Sequence, residues 1–231
     1  MKVISPSYEI MFMPEGETLL KTLELAGRTC YKSEEKINAD SAKGFVKRIL
    51  KSGHHSVIEH AGITVRFICD RGVTHELVRH RLAAYSQEST RYANYWQSRF
   101  GQEITVIKPF FWEEDSPEYA LWLKAMAEAE KAYMALIERG AKPEEARSVL
   151  PNSLKTEIVM TANIREWRHV FELRCSKAAH PQIRQIMLPL LDELHRLTPV
   201  IFDDLYDQYE KDIEKMKRWG QINRQEGEIT D

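Results

Sequence analysis

The chain has 231 residues, which suits one large domain or two small ones at about 150 residues per domain. Hydrophobic residues make up 43% of the chain, enough to build a core and to exclude a disordered protein. The 33 lysines and arginines nearly balance the 35 aspartates and glutamates, which argues against a dedicated nucleic-acid coat protein.

Targeting segments and metal or disulfide frameworks are not expected. The longest apolar run, residues 186–191, is far shorter than the roughly 20 residues that span a bilayer. The N-terminal segment lacks the apolar stretch of a signal peptide. The three cysteines form no CxxC pair, so neither a disulfide scaffold nor a structural zinc site is expected. We therefore predict a cytoplasmic protein without a membrane partner.

The N-terminal half mixes short strands with helices. Gly27 is expected to end the first helix and Asp40 to cap the second. Apolar and polar residues alternate from Ile63 to Phe67, which predicts a strand. In chain order we expect strands at 2–4, 8–12 and 63–67, helices at 18–26, 40–53 and 73–81, a polar loop, and a short apolar run at 104–107.

The C-terminal half is predicted to be largely helical. Ser116 and Pro117 are typical of a helix start, and aromatic and apolar residues then recur at spacings of three and four until Gly140. Such a stripe is typical of core packing rather than of a cofactor site. We further expect a short helix from Pro143, a strand at 156–161, and helices at 164–175, 183–197 and 202–213.

No linker divides the chain, so the prediction is an α+β fold in a single domain over residues 1–218. Its sheet is expected to be mixed or antiparallel, and its C-terminal half helical. A charged tail, residues 219–231, is expected to fray.

Several kinds of chemistry are excluded or disfavoured. No two glycines form a GxG pair, which excludes the dinucleotide fingerprint and the P-loop. His75 and His80 are five residues apart, roughly 140° on a helix, so one zinc ion cannot take both from one face. The cluster from His54 to His60 contains metal-ligand residue types, although ordinary hydrogen-bonding histidines explain it better. No GxSxG elbow is present. Cys69 continues the predicted strand, and Cys175 lies in a predicted helix.

Residues 79–92 are the unusual segment. They combine three arginines and His80 with several hydroxyl and amide side chains. Arginine forks match phosphate oxygens, and hydroxyls with backbone amides can complete an anion site. Composition alone leaves two readings open, a phosphate site and a solvated basic helix end followed by a polar loop.

Motifs in four places resemble the flavin-dependent thymidylate synthases. Arg79-His80-Arg81, seven residues and Ser89 are similar to the RHR-x7-S signature of that family. Residues 54–60 lie upstream at the family's spacing. Residues 145–151 resemble its ARxxLP element, and residues 163–165 with 173–174 resemble its NxR…LR block. The resemblance covers roughly residues 1 to 215, with the motifs in the family's order.

The resemblance implies two sets of binding residues. Those expected to bind dUMP are Glu76, Leu77, Val78, Arg79, Gln87, Glu88, Ser89, Thr90, Arg91, Arg147 and Arg174. Those expected to bind FAD are Ser56, Arg79, His80, Arg81, Gln87, Asn163, Ile164, Arg165 and His169, with His54 near the flavin and the folate. Glu76, Gln87 and His169 depart from the residues common in the family, and Glu76 is expected to face the uracil or sugar.

The resemblance also implies the reaction. NADPH reduces FAD, and methylenetetrahydrofolate donates the carbon that converts dUMP to dTMP, with the hydride coming from the flavin. Family members are homotetramers with shared sites. Ser89 is expected to hydrogen-bond dUMP, since no histidine is placed to activate it as a nucleophile. Rival readings are a nucleotide- or RNA-binding module and a metal-dependent phosphohydrolase.

Arg174 is the predicted catalytic residue. It shares a helix face with Ile164, Trp167 and Phe171 by their 3-4-3 spacing, which places a fixed charge on the inward side. By resemblance, its guanidinium contacts the uracil edge and stabilises the anion that forms when the N3 proton leaves. An ion pair with a carboxylate such as Glu157 or Asp192 is the structural alternative.

Overall fold

The computed structural model describes residues 1–97, 101–198 and 200–227, of which 219–227 are described by their backbone alone. The strands are β1 (Lys2–Ile4), β2 (Ser7–Phe12), β3 (Gly62–Asp70), β4 (Ala83–Gln87), β5 (Thr105–Ile107) and β6 (Lys155–Asn163). The helices are α1 (Gly16–Tyr31), α2 (Ser41–Lys51), α3 (Arg71–Leu77), α4 (Pro117–Glu138), α5 (Pro143–Ala146), α6 (Ile164–Arg174), α7 (Pro181–Leu197) and α8 (Asp203–Gly227). No helix in these described stretches is long and apolar enough to cross a membrane.

The strands form two sheets. Four of them make an antiparallel sheet in the order β2-β3-β6-β4. β1 and β5 form a separate parallel pair in which Lys2 lies opposite Thr105 and Ile4 opposite Ile107. The sheets and the helical C-terminal half confirm the predicted α+β class.

The chain forms two compact units, and β2, β3 and β6 each run from one into the other. The first unit contains residues 1–9 and 66–160, and the second contains residues 10–65 and the chain from 161 onward. The prediction of one domain over residues 1–218 stays a prediction.

The core of the first unit is built on helix α4. The Ser116 hydroxyl accepts a hydrogen bond from the backbone nitrogen of Tyr119 at 3.1 Å, and Gly140, with φ of 91°, follows the helix end. The buried cluster contains Ala93, Tyr95, Ile104, Val106, Tyr119, Trp122, Met126, Tyr133, Ala146 and Leu154. The apolar stripe of α4 is therefore core, as its spacing predicts.

The core of the second unit is built on helices α1, α2, α6 and α7. Trp167 and Phe171 of α6 are fully buried, and the Trp167 indole nitrogen donates to the carbonyl oxygen of Ile63 at 3.0 Å. Asn163 caps α6, because its side-chain oxygen accepts from the backbone nitrogen of Glu166 at 2.9 Å. Leu197, the last residue of α7, is 44% exposed.

Gly27 does not end the first helix. It lies within α1, and a Cβ at this position would lie 2.6 Å from a ring carbon of Phe45 in α2. The glycine therefore serves the close packing of two helices, whereas the left-handed Lys32 (φ 46°) terminates α1.

Three further expectations are wrong. Helix α3 ends at Leu77 rather than near Arg81, so His80 is not on it and the helical offset from His75 does not apply. The expected polar loop contains strand β4, whose edge position tolerates polar side chains. Helix α8 continues to Gly227, past residue 213 where the expected last helix ends, because lysine, arginine, glutamine and glutamate are good helix formers; fraying of the tail stays a prediction.

Candidate active site

The arginine-rich segment is folded back on the end of helix α3. Asp70 caps this helix by accepting from the backbone nitrogen of Val73 at 2.7 Å. After the helix ends, the Tyr85 hydroxyl of β4 lies 2.6 Å from the carbonyl oxygen of Leu77 and 2.9 Å from that of His80. These contacts fix the start of β4, so the residues that follow it are held at the edge of the antiparallel sheet.

A cavity of about 650 Å³ lies where β4 ends; we call it the signature cavity. The Glu88 backbone nitrogen donates to the carbonyl oxygen of Glu157 in β6 at 2.8 Å. The Gln87 amide nitrogen donates to the Thr74 hydroxyl at 3.0 Å. The cavity is lined by Arg66, Ser86, Gln87, Glu88, Ser89, Tyr92, Ala93, Lys155, Glu157 and Val159.

The charges that line the signature cavity balance. Lys155 lies 3.1 Å from a carboxylate oxygen of Glu88 and 2.6 Å from one of Glu157. Burial lowers the pKa of Lys155, but hydrogen bonds and charges from the two glutamates outweigh burial and raise it above its ordinary value. The second cation, Arg66, lies 2.7 Å from Glu9. A neutral ligand group therefore meets no net charge in this cavity.

Arginines less firmly paired than Lys155 lie close to the same segment. Arg147, from the ARxxLP-like element, donates to the Thr90 hydroxyl at 3.4 Å. Arg91 is 3.7 Å from the Glu144 carboxylate, and its guanidinium lies 5.6 Å from the centre of the Tyr92 ring. Two motifs far apart in sequence thus meet in the first unit.

A second cavity, of about 430 Å³, lies in the second unit; we call it the histidine cavity. The Tyr31 hydroxyl is 3.3 Å from Nδ1 of His54, and Arg165 donates to Glu59 at 2.5 Å. Its lining residues are Cys30, Tyr31, Gly53, His54, His55, Ser56, Val57 and Arg165. It therefore unites His54, Ser56 and Arg165 from the expected FAD set.

The remaining expected residues are placed as follows. Arg79, Arg81, Val78 and His169 are exposed, Glu76 and Arg174 are half-buried, and Leu77, His80 and Ile164 are buried. Gln87, Glu88 and Ser89 line the signature cavity. Asn163 caps α6 with its side-chain oxygen.

The two carboxylates considered as ion-pair partners of Arg174 have other partners. Asp192 lies 3.0 Å from Lys217 and 3.7 Å from Arg196. Glu157 lies 2.6 Å from Lys155. Arg174 itself is the last residue of α6 and is half-buried.

Two of the three cysteines are poorly suited to nucleophilic chemistry because they are buried. Burial raises the pKa of the Cys69 thiol and of the Cys175 thiol, so both are poor nucleophiles. Among the residues that the structure describes, no group of three His, Cys, Asp or Glu side chains is arranged to hold a metal ion.

Sequence reasoning missed Arg66, Lys155 and Glu157 of the signature cavity. These residues lie on β3 and β6, where alternate side chains face opposite sides of the sheet. The alternation of Lys155 and Glu157 with buried Thr156 and Ile158 is the signal that could have placed them on one face. It could not have indicated that this face meets the end of β4.

Comparisons with known proteins agree on one family. Residues 13–200 match the family described as thymidylate synthase complementing protein. The flavin-dependent thymidylate synthase of Pyrococcus abyssi is 38% identical over 192 residues, which cover 79% of this chain and 78% of that protein. The protein of the same name from Mycobacterium avium is 36% identical over 201 residues, which cover 79% and 78%.

A solved structure shares the fold. The crystal structure of UMP/dUMP methylase PolB from Streptomyces cacaoi, bound with 5-Br dUMP, matches with a TM-score of 0.72 at 21% identity. The match covers 90% of this chain and 98% of that chain. The extent and identity of the family matches confirm what the signature segment indicates: the chain belongs to the family of flavin-dependent thymidylate synthases.

Proposed function

We propose that the chain is a FAD-dependent thymidylate synthase, a methyltransferase that converts dUMP to dTMP. Methylenetetrahydrofolate is the carbon donor and NADPH the reductant in this proposal. The observation that carries it is the signature cavity, in which Ser86–Ser89, from the segment that resembles the family signature, line a space of about 650 Å³. This volume lies within the range of about 300–1,000 Å³ typical of small-molecule sites.

The charge distribution supports a nucleotide monophosphate as the ligand. Lys155 and Arg66 are matched by Glu88 and Glu157 among the lining residues, which suits the neutral base and sugar. Arg91 and the nearby Arg147 are better suited to bind the phosphate, because one guanidinium group can bind two phosphate oxygens at once. The bound 5-Br dUMP of the PolB structure and the names of the relatives support the same ligand class.

The donor set of the histidine cavity suits part of a flavin dinucleotide. His54 and Ser56 offer an imidazole and a hydroxyl, and Arg165 adds a guanidinium beside Glu59. The exposed Arg79 and Arg81 complete the cationic groups that the resemblance assigns to FAD. When bound, the flavin supplies the hydride.

The chain's own residues bind and polarise the uracil in this proposal. Arg174 stabilises the negative charge that develops when the N3 proton leaves, since its guanidinium stays charged at any working pH. Ser89 donates or accepts a hydrogen bond with dUMP. The reaction needs no cysteine nucleophile, in keeping with the raised pKa values of Cys69 and Cys175.

We propose a homotetramer with sites shared between subunits. A protomer of 27.0 kDa has little room to enclose FAD, dUMP and a folate together, and the histidine cavity is only about 430 Å³. Light scattering should give four times the protomer mass for the active enzyme, and a protomer mass would contradict shared sites. Localisation in the cytoplasm stays a prediction.

The absorption spectrum of the purified protein tests the proposal first. We expect flavin bands, either as purified or after incubation with FAD, and dTMP formation from dUMP when methylenetetrahydrofolate and NADPH are supplied. A colourless protein that takes up no flavin would refute the proposal. Loss of activity with a chelator would favour the phosphohydrolase instead, and steeply salt-dependent RNA binding without flavin would favour the binding module.

A further inference from the structure

Lys155 lies between two carboxylates at the wall of the signature cavity. Its ammonium nitrogen is 3.1 Å from Oε2 of Glu88 and 2.6 Å from Oε1 of Glu157. The side chains of Lys155 and Glu88 are only 22% and 19% exposed. At this burial, an ion pair is less screened by water than a surface pair and restrains the side chains that form it.

The Glu88 carboxylate is held at both of its oxygens. Its Oε1 accepts from the Tyr95 hydroxyl at 3.3 Å, while Oε2 accepts from Lys155. Tyr95 is 6% exposed and belongs to the core of the first unit, so it is a fixed donor. Burial and the nearby Glu88 charge raise the pKa of Tyr95, which keeps its hydroxyl protonated.

The backbone brings the two carboxylates together. The Glu88 amide donates to the Glu157 carbonyl oxygen at 2.8 Å, so the glutamates occupy facing positions on neighbouring chain segments. Like charges directly opposite each other in a sheet repel. Without the cation of Lys155, repulsion from Glu157 would turn the Glu88 side chain out of its present position.

We propose that Lys155 is a positioning residue that fixes the Glu88 carboxylate to accept a hydrogen bond from a neutral donor group of the bound nucleotide. The inference rests on the proposed function, since it takes dUMP as the ligand. Lys155 acts through Glu88, which is the group that meets the nucleotide. An ionised carboxylate repels phosphate and would also oppose the negative charge that Arg174 stabilises on the uracil, so the donor is a sugar hydroxyl.

Titration of dUMP into the protein by calorimetry tests the inference. Lys155→Met keeps the length of the side chain and removes its charge, and we expect dUMP binding about tenfold weaker, as for loss of a hydrogen bond to a charged group. Lys155→Arg should keep most of the affinity. The control is Lys108→Met, since Lys108 is a half-buried lysine of the same unit paired with Glu114; it should bind dUMP like the unmodified protein.

A double-mutant cycle separates positioning from a general structural role. Glu88→Gln alone should weaken dUMP binding by about tenfold, and adding Lys155→Met to it should change the affinity by less than about twofold. If the double variant loses affinity by the product of the two single losses, the inference is overturned, because Lys155 would then act independently of Glu88. If Lys155→Met does not fold, the same cycle with Lys155→Gln decides.

The outcomes distinguish the inference from the proposed function. An unmodified protein that does not bind dUMP refutes the proposed function and the inference together. An unmodified protein that binds dUMP, with Lys155→Met binding equally well, refutes the inference alone. A tenfold loss that disappears in the Glu88→Gln background supports both.

Discussion

Replacement of Gly27 by alanine tests the packing of α1 against α2. The added Cβ would lie 2.6 and 2.7 Å from two ring carbons of Phe45 and 3.1 Å from Cγ1 of Val57. The Phe45 ring is 7% exposed and has the Arg28 guanidinium 4.8 Å from its centre, so it has little space to move away. We expect Gly27→Ala to destabilise the protein.

The magnitude follows from two opposing effects. Alanine is favoured over glycine within a helix by about 1 kcal/mol. Overpacking of a well-filled core costs about 1–3 kcal/mol, and contacts to two ring carbons below 3.0 Å place this site in the upper part of that range. We therefore expect a net loss of about 1–2 kcal/mol in the free energy of unfolding.

Urea denaturation provides the assay, and a second helix glycine provides the control. Gly44 of α2 is exposed, and a Cβ there would lie 3.6 Å from an Arg48 nitrogen, an ordinary contact. Gly44→Ala should therefore stabilise the protein by about 0.5–1 kcal/mol. A Gly27→Ala protein as stable as the unmodified one would refute the packing argument. Adding Phe45→Leu to Gly27→Ala should cost less than Phe45→Leu alone costs in the unmodified protein.

Three further predictions concern charge and chemistry. The Asp204 carboxylate pairs with the buried Arg168 guanidinium at 2.6 and 2.8 Å. Burial raises the pKa of Asp204, but hydrogen bonding and the charge of Arg168 outweigh burial and lower this pKa below 3.8. The pair therefore stabilises the fold above that pH and loses its effect as pH falls. Because the Asp204 side chain is 64% exposed, water screens the pair, and Asp204→Asn should cost about 0.5–1 kcal/mol at pH 7 and less in acid, measured by urea denaturation. Arg174→Ala should keep its bound flavin but lose about 10²–10³ in the rate of dTMP formation. Ser89→Ala should raise the dUMP dissociation constant in calorimetry while turnover at saturating dUMP persists.

Elements whose apolar side chains recur with the period of a helix or of a strand could be predicted from the sequence. The stripe of α4 and the alternation of β3 follow directly from which side faces the core. Gly27 could not be predicted, because its role depends on Phe45 in another helix. A sequence pattern reports a residue's own burial, whereas a close approach between helices depends on both partners.

The residues of the candidate site likewise include some that the sequence could indicate and others that it could not. Gln87, Glu88 and Ser89, which line the signature cavity, could be singled out because they belong to a consecutive and chemically unusual segment. Lys155 could not, because it is separated from Glu88 by many residues and meets it only through the pairing of β4 with β6. Strand pairing is a long-range choice that the local pattern of either strand leaves open.

The pairing of the cations in the first unit indicates how they divide their tasks. Lys155 is held by two carboxylates at 3.1 and 2.6 Å, and a half-buried pair of this kind exchanges partners at a high desolvation cost. Arg91 lies at 3.7 Å from an exposed glutamate, and exposed pairs contribute only about 0–1 kcal/mol. A phosphate can therefore take Arg91 from its partner at little cost, while Lys155 keeps its own. The exposed arginines are thus suited to bind the charge of the nucleotide. The half-buried lysine is suited to hold the cavity wall against which the neutral part of the nucleotide rests.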